Sequence, residues 1–246
     1  MGLSHSPKIV TNGLVMCLDA GNTKSYPGSG TAWTDLTGRG NNASLINGPA
    51  FSSIYGGGLV FDGTNDYSRP SINHSHLSSS SLEIVFRSSS HGSENRTLFG
   101  YRHNSGYSIP TLGSLFLSNS ILNASLITAS QVYRVATFPT TIQTNQTYHA
   151  ILNKNTTNGT MQIFVNGVAG EVQTFDAATY AQWTSAGSFI GADVLDIAKS
   201  TNDNAGQGWG TDYFNGSIYK LAVYSRVLTA TEVQQNFIAL RGRFGI

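Results

Sequence analysis

Cysteine is nearly absent: Cys17 is the one cysteine in 246 residues. That excludes an internal disulfide framework and any multi-cysteine metal centre, and leaves Cys17, within an apolar run, to read as a buried inert thiol. Charge is also scarce. Lys plus Arg number 14 and Asp plus Glu 13, so charged residues are 11% of the chain, against about 25% in an average domain. A net charge of +1 provides no electrostatic footprint for nucleic acid. The longest apolar runs, such as Leu14 to Leu18, fall far short of the roughly 20 residues of a membrane span. The opening MGLSHSPK has no apolar core, so a secretory signal is not expected as written. Met1-Gly2 with Ser6 fits a minimal myristoylation pattern, which is too short to carry weight.

What the chain has in abundance is short, uncharged hydrogen-bonding residues: 30 Ser, 24 Thr and 20 Asn, with 27 Gly. This is turn chemistry, with few of the long charged side chains that coat helices. Hydrophobic residues at 39%, including 12 Phe and 11 Tyr, supply enough for a sizeable core and argue against disorder. Eight N-x-S/T sequons, beginning at Asn42, Asn73, Asn95, Asn123, Asn145, Asn155, Asn158 and Asn215, follow from this composition.

Strand-like runs separated by turns recur along the chain: Gly13 to Asp19, Gly58 to Asp62, Ser81 to Arg87, Leu115 to Leu117, Gln131 to Phe138, Tyr148 to Asn153, Met161 to Val165, Phe189 to Gly191 and Ser217 to Tyr224. Leu82, Ile84 and Phe86 alternate with Glu83, Val85 and Arg87, as on a two-faced strand. Asn166-Gly167 predicts a type I′ hairpin. With Asn158-Gly159 it sets out three consecutive antiparallel strands over residues 147 to 175. No helical period alternates with strands, which excludes a parallel βαβ sheet. One helix is expected. Thr229 to Glu232 is a capping box, Val233, Phe237 and Leu240 form an apolar stripe, and Arg241-Gly242 is the expected stop. This helix is expected to plug an edge of the sandwich. An arm, residues 1–12, precedes one domain, residues 13–246.

Three segments together carry a family resemblance. The first is GLVMCLDAGN (Gly13 to Asn22), followed by WTDLTGRGNNASLINGP (Trp33 to Pro49) and GGGLVFDGTNDY (Gly56 to Tyr67). The second is TYHAILNKNTTNGTMQIFVNGV (Thr147 to Val168). The third is FIGA at Phe189 with FNGSIYKLAVYSRVLTATEVQQNF (Phe214 to Phe237). In this order they resemble the concanavalin A-like lectin/glucanase superfamily, in its laminin G-like, pentraxin-related branch. The resemblance implies an all-β fold, a two-sheet antiparallel jelly-roll sandwich with one short C-terminal helix, its first and last strands close together. The opening resembles lectin-like domains of bacteriophage virion proteins and bacterial surface proteins. In FNGSIYKLAVYSRVL the apolar residues break their period of two, which predicts a bulge near Lys220. Gly216 is expected to permit a close backbone approach, and Gly63 to Asp66 to form a turn.

The glucanase arm of that superfamily carries an E-x-D-x-x-E strand, which places carboxylates on one face, and glycoside hydrolysis needs such a pair. It is absent here. The four glutamates are Glu83, Glu94, Glu171 and Glu232; Glu232 belongs to the helix cap and Glu83 has no acidic neighbour at even spacing. No phosphate loop, zinc-protease or nucleophile-elbow motif occurs. An enzyme is not expected. His74-Ser75-His76 offers half a metal site, or a solvated pair.

Calcium is the cofactor the resemblance implies. Its candidate ligands are Asp193, Asp196, Asp203 and Asp212 in the polar stretch from Ala192 to Tyr213, with Asp62 and Asp66 as a second cluster. The same residues can instead close turns through their own side chains. For sugar binding the candidates are Trp209, between glycines, and Trp183, Tyr180 and Tyr213; the alternative is that they pack the loop onto the sheet. Trp33 reads as a core anchor. The expected function is a non-enzymatic virion surface protein, such as a decoration, head-fibre or tail component, with a lectin-like domain for host glycans. Its partners would be other virion proteins, copies of itself and cell-surface glycans. A bacterial secreted or surface lectin is the runner-up.

Overall fold

The computed structural model describes residues 7–72, 79–91, 95–102, 113–127, 133–174, 194–199 and 212–246. These form two antiparallel sheets, eight strands each among the described residues. Sheet A runs in the order β14 (Val168–Thr174), β13 (Thr160–Val165), β12 (Thr147–Asn155), β7 (Ser80–Ser88), β16 (Asn215–Tyr224), β5 (Gly58–Asp62) and β4 (Ala50–Ser52). The first strand, β1 (Leu14–Asp19), continues the β5 side of β16, pairing Leu14 to Asp19 with Tyr224 to Lys220. First and last strands are thus neighbours. Sheet B runs β11 (Tyr133–Thr141), β10 (Ile121–Ile127), β9 (Gly113–Ser118), β8 (Arg96–Arg102), β15 (Val194–Ile197), β6 (Tyr67–Pro70), β3 (Ala43–Ile46) and β2 (Ala32–Trp33).

The alternation read from the sequence becomes the core. Leu82, Ile84 and Phe86 face inward with Ala150, Leu152, Met161 and Ile163 from sheet A, and meet Leu98, Phe99, Leu115, Leu117, Leu195 and Ile197 from sheet B. Trp33 is fully buried among them. The β12–β13–β14 ribbon is as expected, with Asn166 at φ 49° and Gly167 at φ 78° in a type I′ turn. The turn after β5 is tied by Asp62, whose Oδ1 accepts amides from Thr64 at 2.7 Å and Asn65 at 3.2 Å. In β16 the register slips between Ile218 and Lys220. This bulge puts Tyr219 and Lys220 on one face while Ile218 and Leu221 stay in the core. Gly216, at φ 149°, lies where a Cβ would collide with the Arg87 carbonyl oxygen, so the close approach is real.

The recognisable opening acts as a clasp. The Asp35 carboxylate accepts from the amides of Cys17 (2.9 Å), Thr37 (3.0 Å) and Asn41 (3.2 Å) and from the Thr37 hydroxyl (2.6 Å). Asn41 Nδ2 donates to the Val15 carbonyl at 2.6 Å. One carboxylate therefore joins β1 to the connection between β2 and β3, and both Asp35 and Asn41 are buried.

Three expectations need correction. The helix α1 (Ala230–Phe244) has its capping box, Thr229 with Glu232, but runs past Gly242 and ends at Gly245 in the left-handed region. Burial of Phe244 against Val85, Tyr219 and Leu240, and the two-point pair of Arg243 with Asp19 at 2.6 and 2.8 Å, outweigh the roughly 1 kcal/mol cost of a helical glycine. Its buried stripe is Val233, Asn236, Leu240 and Phe244, with Phe237 only half-buried. The helix also lies on the outer face of sheet A instead of at an edge, because Ile151, Phe164, Ala222 and Tyr224 offer it a second apolar surface. Finally, Ala192 to Tyr213, expected as one polar loop, contains a central strand. Leu195 and Ile197 fill the core while β15 takes its ladder from β8 and β6. The expected strand at Phe189 lies outside the described residues. Among the described residues no helix is long and apolar enough to cross a membrane.

Candidate functional site

The outer face of sheet A is covered. On sheet A the helix is joined by the arm. Val10 packs against Tyr224 and Val233, and its amide donates to Asn236 Oδ1 at 2.7 Å. Beneath them lies a charged cluster. Glu83, fully buried, receives Lys220 Nζ at 3.0 Å and His149 Nε2 at 2.7 Å, with Tyr224 Oη at 3.4 Å. Asn236 Nδ2 donates to Tyr224 Oη at 2.9 Å, tying the helix to the cluster. Burial alone would raise the Glu83 carboxyl, but the Lys220 ammonium and the His149 contact outweigh it and hold it well below the ordinary carboxylate range. Burial likewise opposes the Lys220 charge, and the Glu83 carboxylate reverses that, so Lys220 is raised. Burial, then the Glu83 charge, raise the Tyr224 hydroxyl. Cys17 is buried too, and burial pushes its thiol up, as expected of an inert thiol. This cluster braces the helix and is closed to ligand.

The sequence placed Glu83 on the correct face, without partners. The missing signal was the predicted bulge at Lys220, which turns that ammonium toward Glu83. His149 joins because β12 sets it opposite Val85.

Sheet B presents the other outer face. In β6, Ser68 and Pro70 are buried and Tyr67 and Arg69 half-buried, so the latter two point away from the core. In β15, Leu195 and Ile197 take the core, which turns Asp196 the other way. The pairing of Ile197 with Ser68 then brings Asp196 beside Arg69. Arg69 Nε and Nη2 donate to Asp196 Oδ1 and Oδ2 at 2.6 and 2.8 Å. Asp196 is 1% exposed and the Arg69 side chain 36%. Past β15, Ala198 at φ 67° turns the chain, and Lys199 pairs with Tyr213 in an isolated bridge. Lys199 Nζ sits 4.7 Å from the Tyr67 ring centre and 6.0 Å from that of Tyr213, and the Arg69 guanidinium 5.3 Å from Tyr67. Arg96 Nη1 donates to the Tyr213 carbonyl at 3.3 Å, and its buried Nε has no hydrogen-bond partner among the described residues. Tyr67, Arg69, Asp196, Lys199 and Tyr213 thus form a connected group. Tyr67, Tyr213 and Arg69 are half-buried and can meet a ligand, whereas Lys199 and Asp196 are buried.

Of the residues expected in a site, Tyr213 and Asp196 fall within this group and Asp212 adjoins it. Trp209, Trp183, Tyr180, Asp193 and Asp203, with His74 and His76, lie outside the described residues. Asp196 does not offer itself to calcium, because both its oxygens hold a guanidinium. Asp62 and Asp66 are engaged by backbone amides of their own turn. Among the described residues no group of three or more His, Cys, Asp or Glu could hold a metal ion.

A laminin G-type family model, described as the concanavalin A-like lectin/glucanases superfamily, matches residues 62–234. No curated protein matches the chain in sequence. Solved structures do match. The receptor-binding domain of botulinum neurotoxin C/D mosaic serotype superposes with a TM-score of 0.63 at 14% identity, over 92% of this chain and 51% of that one. The serotype D ligand-binding domain, in complex with N-acetylneuraminic acid, has a TM-score of 0.61 at 15% identity, over 92% and 50%. The type G receptor-binding domain has 0.61 at 13%, over 92% and 51%. The chain spans about half the length of these structures. Likeness at such identity shows a shared fold alone.

Proposed function

The chain belongs to the concanavalin A-like lectin/glucanase superfamily, and from that membership we propose that it is a non-enzymatic glycan-binding module on a virion surface. The observation that carries the binding is the Tyr67–Arg69–Lys199–Tyr213 group on sheet B, across the sandwich from the helix-covered face. Aromatic rings beside hydrogen-bonding and charged groups are what sugar recognition uses. The solved relative in complex with N-acetylneuraminic acid adds support from the same fold. The fold by itself does not assign a ligand.

The non-enzymatic part is supported by two of the four glutamates. Glu83 is sealed beneath the helix with Lys220 and His149, and Glu232 is held by Thr229 and Arg226. Neither can serve as the acid or base of a carboxylate pair. The virion setting rests on the opening segment, which resembles phage lectin-like domains. Neighbouring virion proteins or further copies of this chain are the partners that follow, and the virion is the location. Calcium enters this reading only through Asp193, Asp203 and Asp212.

Purified chain on a glycan array tests the binding: bound glycans support it, and an array without signal overturns it. Release of reducing ends from any bound polysaccharide would make the protein an enzyme. Detection of the chain in purified virions supports the setting; its recovery only from culture medium or a bacterial surface would favour a secreted lectin.

A further inference from the structure

Five asparagines precede a glycine: Asn12, Asn47, Asn158, Asn166 and Asn215. A glycine has no side chain to hinder attack by its amide nitrogen on the Cγ of the asparagine before it. That attack closes a five-membered succinimide ring, and the side-chain nitrogen leaves as ammonia. Water then opens the ring at either carbonyl. One product is aspartate; the other is isoaspartate, in which the main chain runs through the side-chain carbons. The asparagine side chain must be free to turn back on the next peptide, so the fold selects which of the five can react.

Three are tied. Asn47 Nδ2 donates to the Asn65 carbonyl and Asn215 Nδ2 to the Asp62 carbonyl, each at 2.8 Å. Asn166 Oδ1 accepts the His149 amide at 2.9 Å. Asn12 and Asn158 are exposed, and among the described residues neither side chain makes a hydrogen bond; only their backbones are engaged. Asn12 is set apart by what hangs on it. Asn12 and Gly13 are the centre of a turn closed by the Leu14 amide on the Thr11 carbonyl at 3.1 Å, with Gly13 at φ 78°. That closing bond leaves the Gly13 amide, the attacking nitrogen, unused. Downstream, the Gly13 carbonyl is fixed by the Ser225 amide at 2.8 Å. Upstream, Val10 is buried with its amide on Asn236 Oδ1, and Gln235 Nε2 holds the Lys8 carbonyl, each at 2.7 Å.

We propose that Asn12 is a deamidation site, and that its conversion to isoaspartate releases residues 7–10 from the helix. Isoaspartate adds one carbon to the main chain between the fixed points at Gly13 and Val10, a lengthening of about 1.5 Å. A hydrogen bond tolerates a few tenths of that, so Val10 loses its register with Asn236. Asn158 lies in the exposed turn between β12 and β13, where the same change displaces no docked segment. The proposal goes beyond the glycan-binding reading and does not depend on it.

The test ages the whole chain at mildly alkaline pH and follows each Asn-Gly step by peptide mapping with isoaspartate detection. Asn12 and Asn158 are expected to convert at least tenfold faster than Asn47, Asn166 and Asn215, and the difference to vanish in urea. Limited trypsin digestion reads the arm: cleavage after Lys8 is expected to be several-fold faster in aged protein than in fresh. Asn12→Gln should abolish that acceleration. Asn12→Asp, which brings the charge without the added carbon, should leave the arm docked. Equal conversion at all five steps of the folded chain, or none at Asn12, would overturn the site. Conversion at Asn12 with unchanged cleavage after Lys8 would overturn the release, as would an arm freed equally by Asn12→Asp.

Discussion

Glu83 is the position at which a single atom-for-atom change should do most damage to this fold. Glu83→Gln preserves shape and takes away the charge that Lys220 faces at 3.0 Å with 3% side-chain exposure. Removing one partner of a buried pair costs about 3–5 kcal/mol, because the other charge is left without compensation. For a chain of this size each kcal/mol moves the melting temperature by about 2–4 °C, so the expected drop is about 6–20 °C. Lys220→Met should cost a similar amount. The double variant should be far closer to the parent than the two costs combined, since replacing both charges removes the stranded partner. Urea unfolding followed by tryptophan fluorescence gives the three free energies. The folded Glu83 carboxyl lies below its unfolded value. Its contribution is therefore fully present above the ordinary carboxylate range near pH 4 and is lost as the pH falls below that range toward the folded value. Parent stability should fall with that acid limb, and the limb should be shallower in Glu83→Gln. Single variants within 1 kcal/mol of the parent, or costs that simply add in the double variant, would refute the cluster as a coupled brace.

Asp35→Ala should cost about 2 kcal/mol or more, measured by chemical denaturation, because buried amides of Cys17 and Asn41 lose their acceptor; a neutral effect would mean that the clasp is ornamental. Gly216→Ala adds a Cβ against the Arg87 carbonyl at a positive φ, and a loss well above 1 kcal/mol is expected in the same assay. Glu232→Ala opens the capping box and the Arg226 pair and should cost about 0.5–2 kcal/mol with glycan binding unchanged; lost binding at unchanged stability would give Glu232 a functional role. If calcium is held through Asp193, Asp203 and Asp212, chelator lowers the melting temperature and added Ca²⁺ restores it, whereas an unchanged curve removes the ion from the account.

The elements that could be read from the residues are those governed by neighbours a few positions apart. The Asn166-Gly167 hairpin, the Asp62 turn, the Thr229–Glu232 cap and the bulge near Lys220 each depend on local backbone preference or on a break in period. The order of strand-like segments carried the family, and with it the jelly roll. The helix end was missed because Gly242 is a local stop signal that loses to Phe244 and Arg243, whose partners Val85 and Asp19 sit on distant strands. β15 was missed because only four residues alternate there, within a stretch of turn formers, until β8 and β6 supply the ladder. The site groups were least legible. Glu83 meets His149 and Lys220 across 66 and 137 residues, and Arg69 meets Asp196 across 127. Sequence alone determined which residues are inward or outward on a strand such as β7, where the alternation is regular. Which outward residues touch was decided by strand order and register, and those follow from packing the whole sandwich at once, where a shift of one residue would send every side chain to the opposite face.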